Sequence, residues 1–121
     1  MTKANKNLGK WGERQAAQYL IRAGIEIIEH NYYTPHGEID LIGREEQQLI
    51  FFEVKTRTGS AFGNPEEAVT PKKKQHLINS ALFYLQEHCE NEPDWRIDVI
   101  AIKRKANQEL EILWFKNAIE Y

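Results

Sequence analysis

Two short groups of charged residues interrupt apolar surroundings and are the part of the chain best suited to chemistry. Asp40 comes directly before an apolar pair, residues 41–42, and Glu53 follows the apolar run at residues 49–52 and precedes Lys55 by two positions. Because stripping water from a charge is costly, such residues are expected in apolar strands only where a partner compensates them. Two carboxylates and a lysine could hold a divalent cation and stabilise a developing charge beside it.

The expected pairing of two neighbouring strands brings these charges together. A symmetric polar turn centred on residues 46–47 puts Asp40 opposite Glu53, and it also puts Glu38 opposite Lys55. Opposed side chains in a hairpin lie about 5 Å apart, and like charges there are destabilising. The register therefore favours a bound cation, and without one a carboxylate of the pair should have a raised pKa. A bulge or an odd-length turn would break this register.

Glu38 has two interpretations in this register. It either forms a structural ion pair with Lys55 or holds that lysine in place for catalysis.

The whole chain predicts one α/β domain over residues 1–121, with a mixed β-sheet flanked by helices and the element order αβββαββ. Thr70 and Pro71 supply an N-cap and a proline for the second helix. Residues 58–70, which contain Gly59 and Pro65, predict a mobile loop. Helices are expected at residues 8–23 and 71–89, and strands at 25–33, 38–44, 49–57, 95–103 and 110–115.

The composition is typical of a globular protein with a hydrophobic core. The chain has 121 residues, of which 41% are hydrophobic and 28% charged, so it can bury a core. No apolar run approaches the roughly 20 residues that cross a bilayer, and the polar N-terminus has no secretory signal. Cys89 is the only cysteine, which excludes an intrachain disulfide and favours a reducing, cytoplasmic location.

Basic residues are concentrated in two stretches, although the formal net charge is −2. Lysine and arginine exceed the acids in residues 1–22 and again in residues 55–79. Such segregation can create a basic face that contacts DNA phosphates, although solvated helix faces explain the counts equally well. The candidate nucleic-acid contacts are Lys10, Arg57, Lys72, Lys74 and Gln75.

Glu13 could add a third carboxylate from the first helix. It shares a helix face with Ala16, Ala17 and Leu20, which puts it at the edge of the packing surface. A solvated glutamate is the common outcome for such a position. Gly12 beside it is a poor helix former, at a cost of about 1 kcal/mol, and would leave room for a close approach.

Five short motifs give the chain a family resemblance. In order and spacing they resemble the PD-(D/E)xK nuclease superfamily, and most of all the YraN-like family of small bacterial proteins related to archaeal Holliday-junction resolvases. The resemblance covers nearly the whole chain and implies a restriction-endonuclease-like αβββαβ core. The motifs are GxxGE at residues 9–13, GEIDLI at 37–42, FEVKTR at 52–57, AVTPKKK at 68–74 and RIDVI at 96–100.

The resemblance also implies roles for particular residues. Asp40, Glu53, the Val54 carbonyl and, as in resolvases, Glu13 would hold Mg²⁺, for which Mn²⁺ can substitute, and Lys55 would orient or activate the attacking water. Related resolvases are dimers, which implies a homodimer acting on branched DNA. Ile39 stands where the superfamily motif has proline, a departure that many members share.

Three hypotheses from different classes follow. The first is a metal-dependent endonuclease that cleaves DNA, including branched or repair intermediates. The second is a nucleic-acid-binding protein that keeps the fold but has little activity without a partner. The third is a structural domain whose carboxylates form an ion-pair network. Asp98, in the predicted fourth strand, has a structural interpretation in all three, paired with Arg96 or a backbone donor.

Overall fold

The computed structural model describes residues 3–58 and 69–120, so the loop predicted at residues 58–70 lies almost wholly outside the described residues. The element order is αβββαββ, as the sequence predicts. No helix in these two ranges is both long and apolar enough to span a membrane. The elements are α1 (Lys3–Arg22), β1 (Glu26–Thr34), β2 (Gly37–Glu45), β3 (Gln48–Thr58), α2 (Pro71–His88), β4 (Trp95–Arg104) and β5 (Leu110–Ile119).

The five strands form one mixed sheet in the order β1-β2-β3-β4-β5. Strands β3 and β4 are parallel, and every other neighbouring pair is antiparallel. The parallel pair requires a crossover, which α2 provides. This arrangement confirms the predicted α/β class and is consistent with a restriction-endonuclease-like core.

The two helices pack on opposite faces of the sheet. Side chains alternate along β3, so Phe51 joins a cluster that contains Leu77 of α2, whereas Phe52 joins a cluster that contains Leu20 of α1. All of these side chains are nearly or fully buried. The middle of β3 is therefore enclosed on both faces, and a charge placed there loses most of its contact with water.

The start of α2 is fixed as the sequence predicts. Thr70 is the N-cap, its Oγ1 accepts a hydrogen bond from the Lys73 N–H at 3.1 Å, and Pro71 opens the helix. This cap fixes the residue at which α2 begins.

The predicted register of the β2–β3 hairpin holds only near the turn. Its ladder runs from the pair Glu45 and Gln48 to the pair Leu41 and Phe52, and it ends there. Asp40 and Glu53 are therefore not ladder partners, nor are Glu38 and Lys55, which corrects the expectation from the sequence. The physical reason is the Asp40 carboxylate, whose Oδ2 accepts the Val54 N–H at 2.8 Å in place of a main-chain partner.

Candidate active site

Asp40 lies where the hairpin ladder ends. Its side chain is half-buried and accepts the Val54 N–H. Removal of the carboxyl group from water raises the pKa of Asp40 well above its ordinary value of 3.8, and the negative charge of Glu53 raises it further. The Val54 hydrogen bond acts in the opposite direction and lowers it. The expected raised pKa in this carboxylate pair is thus confirmed, although the two residues are not cross-strand partners.

Glu53 is one of three buried polar or charged residues among those described, with 3% of its surface exposed. Its Oε1 lies 3.3 Å from Lys55 Nζ and 3.6 Å from Lys73 Nζ. Its Oε2 is buried and has no hydrogen-bond partner among the described residues. A buried acceptor without a partner costs about 1–3 kcal/mol, so this oxygen is available to a cation.

Lys73 is a residue that sequence reasoning missed. It lies on α2, and its ammonium group reaches the same carboxylate oxygen as Lys55 does. Helical spacing could have found it, because Lys73 precedes the buried Leu77 by four positions and the buried Ser80 by seven. Those positions share the helix face that packs on the sheet.

The α2 residues predicted to bind nucleic acid make no hydrogen bond or ion pair with the site carboxylates among the described residues. Lys72, Lys74 and Gln75 are exposed, and the Gln75 amide donates to Asn79 within the helix at 3.0 Å. Lys72 and Lys74 flank Lys73 in the sequence of the first turn. Arg57, the predicted contact on β3, is half-buried and donates to the Thr56 carbonyl at 3.0 Å.

Glu13 of α1 does meet the β2 carboxylates, as the resemblance implies. One carboxylate oxygen from each of Glu13, Glu38 and Asp40 lies within 4.8 Å of the others. Glu38 thus contributes to this cluster, and no ion pair joins it to Lys55 among the described residues, where Lys55 pairs with Glu53.

Glu13 reaches the cluster because α1 approaches β3 very closely at Gly12. A Cβ on Gly12 would overlap the Thr56 hydroxyl and lie 2.9 Å from Thr56 Cβ and Cγ2. The room that glycine leaves beside Glu13 is filled by this strand.

Asn31 of β1 is the second residue that the sequence did not single out. Its Nδ2 donates to Glu13 Oε1 at 2.9 Å and to Glu38 Oε1 at 2.6 Å. Its Oδ1 accepts from Lys10 Nζ at 3.0 Å, and this Nζ is also 3.6 Å from Glu13. Lys10, predicted to contact nucleic acid, therefore lies beside the carboxylates.

Asp98 has the structural role expected from the sequence. It is fully buried and accepts from Arg96 Nε at 3.0 Å, from Trp114 Nε1 at 2.8 Å and from the Asn117 N–H at 2.7 Å. Its acceptor capacity is occupied by these donors. This aspartate holds β4 and β5 together and takes no part in the carboxylate group.

The donor set fits a hard divalent cation. Asp40, Glu13 and Glu38 offer carboxylate oxygens within 4.8 Å of one another, and Glu53, which lies outside that group, offers the unpartnered Oε2. Carboxylate oxygens are the ligands that Mg²⁺ and Mn²⁺ prefer. Glu53 Oε2 is a buried acceptor without a donor among the described residues, and burial, followed by the negative charge of Glu53, raises the pKa of Asp40. A cation would relieve both.

Comparison with known proteins places the chain in a family. The model of an uncharacterised protein family, UPF0102, matches residues 12–102. The chain is similar to a UPF0102 protein of Syntrophomonas wolfei (45% identity, 81% of this chain and 85% of the relative) and to one of Syntrophotalea carbinolica (42%, 99% and 97%). A UPF0102 protein of Marinobacter nauticus is 42% identical over 96% of this chain and 94% of its own length. The chain belongs to the UPF0102 family, the YraN-like family that its motifs resemble.

Proposed function

We propose that this protein is a divalent-metal-dependent endonuclease that hydrolyses phosphodiester bonds in DNA. The observation that carries the proposal is the arrangement around Glu53. Glu53, a buried carboxylate with one orphaned oxygen, lies beside Lys55, and burial together with the charge of Glu53 raises the pKa of Asp40. Active sites often contain a residue whose pKa is perturbed by burial and by a neighbouring charge.

The cation is assigned to Asp40, Glu53, the Val54 carbonyl and Glu13. When bound, Mg²⁺ would polarise a phosphoryl oxygen and lower the pKa of water. The chain's own part is positioning. Val54 fixes the Asp40 carboxylate through its N–H, and Lys55 is held by Glu53 beside the carboxylates, where its ammonium group can orient a water molecule and stabilise negative charge on phosphate.

DNA is the substrate that the surrounding charge favours. Lys73 brings the first turn of α2 to the site, so the exposed Lys72 and Lys74 lie at its rim, and Lys10 lies on the α1 side. Lysines of this kind bind backbone phosphates and fix a duplex without reading its sequence. The likeness to junction resolvases extends the proposal to branched DNA and to a two-fold homodimer, whose symmetry would match a four-way junction.

One observation favours a second candidate, a DNA-binding protein with little turnover by itself. Glu53 Oε1 already has two ammonium groups nearby, so part of the charge that a metal would neutralise is neutralised by lysine. This candidate predicts salt-sensitive DNA affinity without cleavage.

A substrate panel separates the two candidates. Linear, flapped and four-way DNAs would be incubated with Mn²⁺ and the wild-type, Lys55→Ala or Lys105→Ala chain, and both binding and strand cleavage would be measured. Lys105→Ala is the matched control because its ion pair with Glu111, at 3.5 Å, lies at the β4–β5 turn. The nuclease proposal predicts cleavage that only Lys55→Ala abolishes. Binding of every substrate without cleavage would support the second candidate and overturn the first.

A further inference from the structure

Asn31 interrupts the pairing of β1 with β2 beside Asp40. Tyr32 pairs with Ile39 and His30 pairs with Leu41, yet the intervening Asn31 and Asp40 are not ladder partners. The backbone of Asn31 is left-handed, with φ at 49°. Asparagine is one of the few residues other than glycine that tolerate this conformation. A local departure from strand geometry therefore coincides with the carboxylate group.

The Asn31 amide nitrogen lies between two carboxylates. It donates to both Glu13 and Glu38, and these two residues belong with Asp40 to the group whose oxygens lie within 4.8 Å of one another. A neutral amide thus holds two acids together at the place where the proposed function requires a cation.

We propose that Asn31 is a further ligand of the metal centre and has two states. Without metal its Nδ2 bridges Glu13 and Glu38, and with metal its Oδ1 turns toward the cation. The proposal rests on the proposed function, because it requires a cation at these carboxylates. Asn31 would add an oxygen ligand from β1. It lies outside the five sequence motifs, and the name of the family implies no such ligand.

The exchange of states requires little movement. The two ends of an asparagine amide have nearly the same shape, so a half-turn of the group exchanges oxygen for nitrogen in place. The amide oxygen is a hard ligand of the type that divalent cations accept. After this rotation of the amide, Lys10 Nζ would face Asn31 Nδ2. Both groups are hydrogen-bond donors, so Lys10 must move away from Asn31. The Lys10 side chain is 46% exposed, so water can replace this contact, and its charge becomes free for a DNA phosphate.

The test is Mn²⁺ affinity of the metal-free full chain, measured by calorimetry or electron paramagnetic resonance. Asn31→Gly removes the amide and keeps a left-handed backbone, whereas Asn31→Asp keeps a ligand oxygen and removes the donor. Asn117→Gly is the matched control, since Asn117 is also left-handed, with φ at 51°, and lies on β5 beside Asp98. Thermal melting without metal would be recorded for each variant.

We expect Asn31→Gly to bind Mn²⁺ roughly tenfold more weakly or worse. Asn31→Asp should bind at least as tightly as wild type, and Asn117→Gly should be unchanged. Both Asn31 variants should melt at lower temperature without metal, because the bridge between Glu13 and Glu38 is lost. Wild-type affinity in Asn31→Gly would overturn the proposal. Equal weakening in Asn31→Asp would also overturn it, since that result assigns Asn31 a donor role alone.

The same titration separates this inference from the proposed function. A wild-type chain that binds no Mn²⁺ contradicts the metal centre and the ligand role together. A wild-type chain that binds Mn²⁺, with Asn31→Gly equal to it, contradicts only the role of Asn31.

Discussion

Lys73 Nζ lies 3.6 Å from Glu53 Oε1, so the first turn of α2 supplies a second ammonium group to the buried carboxylate of β3. The Lys73 side chain is 41% exposed, whereas that of Glu53 is 5% exposed. One end of this pair is thus fixed in the site and the other is open to solvent. Under the proposed function, Lys73 would contact both this carboxylate and the phosphate of the substrate.

Substitution of Lys73 should slow cleavage without unfolding the chain. We expect Lys73→Ala to reduce the single-turnover rate at least tenfold, because a charge near the scissile phosphate is lost. Its cost in stability should stay within about 1 kcal/mol, since the partly exposed ammonium is screened by water. Lys105→Ala is the matched control, because the Lys105 side chain is similarly exposed, at 44%, and its ion pair with Glu111 lies at the β4–β5 turn. Equal rates for the two variants would remove Lys73 from the site.

Because α1 approaches β3 closely at only one of its two glycines, Gly→Ala substitutions at Gly12 and Gly9 should change stability in opposite directions. Gly12→Ala should destabilise the chain by about 2 kcal/mol, because its Cβ would overlap Thr56. Gly9→Ala should stabilise it by about 0.5–1 kcal/mol, since nothing lies within 4 Å of a Cβ there and alanine favours the helix. Urea unfolding measures both. Thr56→Ala should restore part of the loss in the Gly12→Ala chain, and a neutral Gly12→Ala would contradict the close approach.

The raised pKa of Asp40 predicts a stability that depends on pH in the metal-free chain. The folded pKa lies above the ordinary value of 3.8, so the contribution of Asp40 is most favourable below that pH and is lost as pH rises through the raised value. Asp40→Asn removes the buried charge and can still accept the Val54 N–H. It should therefore melt higher than wild type at pH 8, by roughly 4 °C for each kcal/mol gained.

The pH series contains its own control. The advantage of Asp40→Asn should shrink as pH falls toward 4, where the wild-type carboxyl group gains its proton. Melting curves recorded with a chelator from pH 8 to pH 4 would show this convergence. A constant difference at all pH values would mean that the Asp40 charge is not the cause.

Asp98 should contribute strongly to the stability of the fold and should have no role in metal binding. Asp98→Ala leaves Arg96, Trp114 and the Asn117 N–H without their common acceptor, which should cost about 3–5 kcal/mol. The exposed Asp94 gives the control, and Asp94→Ala should stay within about 0.5 kcal/mol of wild type. A mild effect of Asp98→Ala on the unfolding midpoint would contradict this buried network.

Sequence reasoning succeeded where local rules decide the structure. The cap at Thr70 and the hairpin register from Glu45 to Leu41 follow from turn chemistry and strand alternation, and both are confirmed. The order of elements follows from hydrophobic periodicity in the same way.

It failed where a side chain takes the place of a backbone partner. Asp40 takes the Val54 N–H and ends the ladder, so a register counted from the turn cannot be extended to Glu53. Asn31 departs from strand geometry at the neighbouring position, and Lys73 reaches the site only through the packing of α2. Each of these depends on tertiary contacts between elements distant in sequence, which spacing along one element does not reveal.

The central claim is that Asp40 belongs to a metal centre that cleaves DNA. The most direct test is the single-turnover rate of strand cleavage across a series of Mn²⁺ concentrations, for the wild-type and Asp40→Asn chains. We predict a rate that saturates with Mn²⁺ in the wild type, disappears with a chelator and falls at least about 100-fold in Asp40→Asn, although that variant is the more stable chain. Equal cleavage by both chains, or wild-type cleavage that persists without metal, would contradict the account.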